Sequence, residues 1–213
     1  MICVSIVDCE LPKILSLAAE HRFIELRLDR LQIGLAELRL ILQSAGRVLV
    51  SCPNLRIRCC EMLPLLEEAI KSGAAYLDIP YDTDPIVLHP LMASARDAGC
   101  RLILSYHNFE GTPELRELIH IADAAHQAGA DIVKLACTVN KPLDNAIILS
   151  LYTRGYPIIS LGMGSLGKIT RIAALKLGAP FGFAAADAES LAAPGQFTYL
   201  QMQELLELLN RES

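Results

Sequence analysis

The chain has 213 residues, 53% of them hydrophobic, with 19 basic against 24 acidic side chains and a net charge of −5 at pH 7. That length and apolar content suit one well-cored domain, 1–213, and the acidic balance argues against a nucleic-acid or anionic-membrane surface. No apolar run reaches the ~18 residues of a membrane span. The seven cysteines (3, 9, 52, 59, 60, 100 and 137) show no CxxC pair, as expected of reduced cytoplasmic thiols rather than a disulfide framework or a zinc site.

Short apolar runs alternate with stretches of helical spacing along the chain. The pattern predicts strands over 2–7, 23–28, 47–52, 75–79, 101–106, 131–137, 157–161 and 180–185. It predicts helices over 11–20, 35–43, 60–72, 85–98, 113–128, 143–152, 166–177 and 199–210. Thr112-Pro113-Glu114 has the form of an N-cap, a proline at the first helical position and an acidic first turn. Gly73, Gly99, Gly129, Gly155 and Gly178 follow helical stretches, where C-terminal caps belong. Strict alternation implies right-handed βαβ units and a parallel sheet. Eight units of about 27 residues are the number that closes an α/β (β/α)8 TIM barrel, near the short end of its range, with a doubly wound open sheet as the rival.

A barrel carries its chemistry at the carboxyl ends of its strands. Strand 2 ends Glu25-Leu-Arg-Leu-Asp29, and alternation puts Glu25, Arg27 and Asp29 on the lumen face. Either they form a salt-bridged layer that fills the barrel, or the carboxylates hold Arg27 toward a polar substrate. Strand 5 ends Ser105-Tyr-His-Asn-Phe109, placing His107 where a βα loop begins, as a general acid/base or as a structural imidazole.

Strand 6, within Ala130-Asp-Ile-Val-Lys-Leu-Ala-Cys137, is apolar except for Lys134 in its middle. A buried lysine is costly unless paired or neutral, and a neutral amine is a nucleophile. The alternatives are a lysine snorkelling to water or held in a structural ion pair. After strand 7, Gly162-Met-Gly-Ser-Leu-Gly-Lys-Ile-Thr-Arg171 has GxGxxG spacing. It reads as a phosphate cradle, or as a tight loop that delivers Arg171 to the mouth. The last loop, 187–198, is long enough to fold over the mouth as a lid carrying Gln196.

These pieces, in this order, resemble type I 3-dehydroquinate dehydratase, the Schiff-base enzyme of the shikimate pathway. The matching stretches are Glu25–Asp29, Ser105–Phe109, Ile132-Val-Lys-Leu-Ala136, Met163–Arg171 and Ala193-Pro-Gly-Gln196. The resemblance implies a barrel hydro-lyase converting 3-dehydroquinate to 3-dehydroshikimate in aromatic amino acid biosynthesis. Lys134 would form the imine and His107 would move the protons. Arg171 would bind the substrate carboxylate, and Glu25, Arg27 and Gln196 would hold ring hydroxyls. It implies no metal and no organic cofactor, a small-molecule substrate as partner, and a homodimer or a fusion to shikimate dehydrogenase. Three departures stand out. The arginine and Glu-Gly-Gly loop after strand 3 are replaced by Ser51-Cys-Pro-Asn-Leu-Arg-Ile-Arg-Cys-Cys-Glu61, with Arg56, Arg58 or Glu61 as candidate substitutes. Ala192 stands where the family has a lid serine, and strand 4 ends Asp78-Ile-Pro80 rather than Asp-x-Glu. A class I aldolase or transaldolase-like barrel, with phosphate near Lys168 and Arg171, and a barrel that binds without catalysis are the competing readings.

Overall fold

A computed structural model describes residues 1–55 and 57–211. Its strands are β1 (Ile2–Ile6), β2 (Phe23–Arg27), β3 (Arg47–Ser51), β4 (Tyr76–Pro80), β5 (Arg101–Asn108), β6 (Ile132–Thr138), β7 (Ile158–Met163) and β8 (Gly182–Ala185). The helices are α1 (Leu11–Glu20), α2 (Leu35–Ser44), α3 (Cys59–Lys71), α4 (Pro85–Asp97), α5 (Leu115–Gln127), α6 (Asp144–Ser150), α7 (Lys168–Lys176) and α8 (Tyr199–Asn210). All pairings are parallel, in the order β7-β6-β5-β4-β3-β2-β1-β8. The result is a nearly closed (β/α)8 barrel with β7 and β8 as the ends of the hydrogen-bonded order, and the open-sheet rival is excluded.

Local chemistry explains most element ends. Asp84 accepts from the Ile86 amide to cap α4 ahead of Pro85, and Thr198 and Gln201 form a reciprocal capping box on α8. The expected N-cap at Thr112 does not form. Helix α5 starts at Leu115, and the Thr112 hydroxyl instead donates to the Thr138 carbonyl at 2.9 Å, tying the loop to β6. Gly73, Gly99, Gly129 and Gly178 take the left-handed backbone of C-terminal caps. Gly155 does not, because α6 runs out through a 3-10 turn, Leu151–Thr153.

Alternation splits the buried side chains into two systems. The outward faces of the strands, such as Val4, Leu26, Val50, Leu77, Leu104 and Leu135, pack under the helices in the main core. The inward faces fill the lumen. At its amino end Phe23, Tyr76 and Phe181 pack ring on ring, 4.9 to 5.6 Å apart, with Phe183 above them. Two residues further along the same strands the inward positions become polar: Ser5, Glu25, Ser51, Asp78, Ser105 and Lys134 are all buried. Burying such a layer without water costs free energy unless its members pair, so its pairing decides what it is for.

Candidate active site

Ser5, Glu25 and Lys134 of this polar layer line the floor of a cavity of about 110 Å³ at the carboxyl ends of the strands. Lys134 projects into it from the middle of β6, with β5 and β7 hydrogen-bonded on either side. It is 6% exposed, so it does not snorkel. Its Nζ donates to Asp78 Oδ2 at 2.6 Å and lies 4.4 Å from the centroid of the Phe183 ring. The ion pair is what allows an ammonium to be buried here. Asp78 is fully buried, and its Oδ1 has no hydrogen-bond partner. A carboxylate with a free lone pair beside the lysine is placed to accept its proton when a carbonyl arrives.

β5 extends through Asn108, so His107 sits on the strand rather than at the start of the loop. It faces the lumen one pleat above Ser105, which is level with Lys134. Its ring stacks on Phe109 at 6.2 Å with 13° between the planes. Burial, and then the positive charge of Lys134, push its pKa down to about 4. His107 is therefore a neutral imidazole at pH 7, the form that accepts a proton. Among the described residues it makes no side-chain hydrogen bond to a carboxylate. Arg58 and Glu61 pair with each other at 2.7 Å on the surface and do not substitute for the Glu-Gly-Gly loop. Arg56 lies outside the described residues. Pro53, at the start of that loop, contributes an apolar wall to the cavity.

β2 and the 3-10 turn after it, Leu28–Arg30, position the next group. Arg27 donates from two nitrogens to the two carboxylate oxygens of Asp29, at 2.9 and 2.8 Å, a fork that fixes the guanidinium plane. Only one of the flanking carboxylates holds it, because Glu25 accepts from the Ser5 hydroxyl at 2.5 Å instead.

The glycine-rich loop after β7 does not cradle a phosphate. A Cβ on Gly167 would meet the Gly162 carbonyl carbon at 2.6 Å, so these glycines are required for backbone packing. The Gly164 amide already donates to the Pro194 carbonyl, and Lys168 lies over the Phe197 ring. The turn starts α7 so that Arg171 enters the cavity from the helix's first turns. Arg171 is 4% exposed, and burial lowers its pKa to about 10. Among the described residues its one side-chain hydrogen bond is a 3.4 Å contact to the Pro194 carbonyl, and its Nε has no partner. A buried guanidinium left with open donors has the chemistry to receive an anion.

The loop after β8 covers the mouth. Gly195 lies so close to Gly164 that a Cβ would sit 2.2 Å from its carbonyl oxygen. Gln196, 5% exposed, points inward, donating to Ser5 Oγ at 3.2 Å and accepting from the Ala192 amide at 2.9 Å. The structure thus brings Lys134, His107, Glu25, Arg27, Arg171 and Gln196 around one cavity. It adds Asp78, Ser5 and Phe183. Asp78 had a signal, a lone carboxylate in register on the inward face of an apolar strand, as Lys134 itself was. Ser5 and Phe183 had none, since a serine and a phenylalanine are ordinary in a barrel strand. Among the described residues no group of three or more His, Cys, Asp and Glu side chains is placed to hold a metal ion.

Residues 2–213 match the family model for type I 3-dehydroquinase. The 3-dehydroquinate dehydratase of Methanococcus maripaludis is 36% identical over 150 residues, 70% of this chain and 68% of that protein. That of Desulfotalea psychrophila is 35% identical over 147 residues, covering 67% and 65%. That of Thermococcus gammatolerans is 32% identical over 192 residues, 87% of each. The crystal structure of the Geobacillus kaustophilus 3-dehydroquinate dehydratase superposes with a TM-score of 0.85 at 25% identity, over 98% of this chain and 90% of that one. The Aquifex aeolicus enzyme gives 0.83 at 26% identity over the whole of both. With the lysine, the histidine and the buried arginine gathered at the mouth of such a barrel, the chain belongs to the type I 3-dehydroquinase family.

Proposed function

We propose that this chain dehydrates 3-dehydroquinate to 3-dehydroshikimate in the shikimate pathway through an imine on Lys134. The observation that carries the reading is Lys134 itself: a buried amine, 2.6 Å from Asp78 and below a neutral imidazole, on the floor of a cavity with an unsatisfied guanidinium.

The ammonium of Lys134 gives a proton to Asp78, and the free amine adds to the substrate ketone. Loss of water forms the imine, which acidifies the adjacent carbon. His107 takes a proton from that carbon and returns it to the departing hydroxyl, which leaves as water. A second water hydrolyses the product imine and restores the amine. Arg171 binds the ring carboxylate through its open donors, and Glu25, Arg27 and Gln196 hold ring hydroxyls. The lid keeps bulk water from the imine until elimination is complete. None of these steps calls for a metal or an organic cofactor.

The 1–213 barrel is the catalytic domain in this reading, and its compartment is the cytoplasm, in keeping with seven free cysteines. The same fold forms part of the S. pombe AroM structure of dehydroquinate dehydratase and shikimate dehydrogenase, where the match covers 45% of that chain. A fusion of that kind, or a homodimer, is the partner arrangement to test by sizing the natural protein. The reaction is tested by borohydride reduction in the presence of 3-dehydroquinate, followed by intact and peptide mass spectrometry. One adduct, on the peptide carrying Lys134, is the expected result. Folded protein that yields no adduct would overturn the imine mechanism.

A further inference from the structure

We propose that Arg30 is a positioning residue that latches the lid from outside the cavity and thereby sets Gln196; this rests on the dehydratase reading above. Arg30 ends the same 3-10 turn whose Asp29 fixes Arg27. Its guanidinium reaches the loop between β1 and α1, donating to both carboxylate oxygens of Asp8, and also donates to the Ala192 carbonyl of the lid at 3.3 Å. The Asp8 amide in turn donates to the Arg30 carbonyl at 3.1 Å. Asp8 is the non-glycine residue with a left-handed backbone, φ 49°, among the described residues. Backbone of that kind persists where its surroundings hold it, and here the double link to Arg30 does so.

Ala192 is the joint of the device. Its carbonyl faces Arg30, while its amide donates to Gln196 Oε1. Holding Ala192 therefore orients the Gln196 amide, whose nitrogen reaches Ser5 and, through it, Glu25. Ala192 has no side-chain hydrogen bond with which to anchor this stretch, so its backbone is what must be held. The lid's other hold is Pro194, whose carbonyl accepts from Arg171 and from the Gly164 amide. Arg171 belongs to the substrate carboxylate in the proposed reaction, so that hold changes on binding. Arg30 lies outside the cavity lining, so its grip on the lid does not compete with substrate for the guanidinium. Its partners are half-exposed, so each contact is weak and can break at every turnover, as a lid requires.

The test compares wild type with Arg30→Ala, Arg30→Gln and Asp8→Asn, the last keeping a residue tolerant of the left-handed backbone. Hydrogen exchange of the lid peptide, without substrate, should be faster in Arg30→Ala, intermediate in the other two, and unchanged in the barrel strands. With 3-dehydroquinate, KM should rise about 3- to 10-fold in Arg30→Ala while kcat stays within about twofold. Unchanged lid exchange and unchanged KM in Arg30→Ala would overturn the latch, as would a loss carried by kcat alone. Lid exchange is read without substrate, so it judges the latch even if wild type proves inactive on 3-dehydroquinate, an outcome that would count against the dehydratase reading alone.

Discussion

The two ends of the barrel lumen are built from the same strands, one pleat apart, and obey opposite rules. At the amino end Phe23, Tyr76 and Phe181 fill space and pack their rings, and none of their side-chain polar atoms is left buried and unpartnered. One pleat higher, Glu25, Asp78 and Lys134 replace them, and the layer keeps orphaned atoms: Asp78 Oδ1, Ser51 Oγ and, at the rim, Arg171 Nε. An apolar layer could have continued upward at a gain in stability. The difference separates what the barrel needs to fold from what it needs to react. Phe183 joins the two, since its ring packs on Phe181 below and faces Lys134 Nζ above.

In the polar layer, a single substitution should remove the chemistry. Lys134→Ala should lower kcat/KM by about 10⁴-fold or more and abolish the borohydride adduct, because no other amine stands on the cavity floor. Its denaturation midpoint should fall while the fold survives, because removing Lys134 leaves the Asp78 carboxylate buried without its partner. Turnover within tenfold of wild type would end the imine mechanism.

The lower side should respond in the opposite way. Phe181 is fully buried among three other rings, and Phe181→Ala should cost about 3–5 kcal/mol in urea unfolding. Below its lowered transition the variant should retain kcat within severalfold, since no reacting atom touches that ring. A variant as stable as wild type, but inactive, would show that the packed layer and the polar layer are not separable.

The same contrast governs what could be read from the chain. Eight apolar runs with capped helices between them are dictated by local spacing, and the observed strands fall on them with ends shifted by one or two residues. Lys134 and His107 were legible because a charged or titratable side chain is conspicuous on a strand, and Arg171 because it follows the tight glycine loop after the seventh strand. The Asp78–Lys134 pair was not, because residues 56 positions apart meet only once the strands between them are laid in register. Thr112 was misread as a cap since its sequence context fits one, while the β6 carbonyl that captures its hydroxyl is invisible locally. The glycine loop also misleads by spacing alone: the pattern suited to phosphate serves here to bring Gly162 and Gly167 into backbone contact.

A smaller effect sharpens the role of the rim. Arg171→Ala should raise KM for 3-dehydroquinate by roughly 10- to 100-fold, the loss expected for charge-assisted hydrogen bonds to a carboxylate. The maximum yield of trapped imine at saturating substrate should change far less, because Arg171 does not touch the reacting carbon. Arg171→Lys should recover only part of the affinity, since an ammonium cannot present the guanidinium fork. An unchanged KM in Arg171→Ala would move the carboxylate site to Arg27.

A displacement along the pH axis tests whether the polar layer tunes its own base. An ordinary imidazole titrates near 6.5, whereas burial and the Lys134 charge hold His107 down at about 4. A lowered pKa means that the neutral, proton-accepting form persists as the solution is acidified. The acid limb of kcat/KM assigned to His107 should therefore fall between about pH 4 and 5, with no inflection near 6.5. Stability runs in the same sense. The unfolded imidazole binds a proton near 6.5 and the folded one near 4, so this residue's contribution is intact above 6.5 and drains away as pH falls through that window. Lys134→Ala removes the larger of the charges that lower it and should bring the His107 pKa back upward, a change that NMR titration of the imidazole reads directly even though the variant is inactive. An imidazole that titrates near 6.5 in the wild type would mean that neither burial nor the lysine's charge lowers it, and that the polar layer holds its lysine without tuning its histidine.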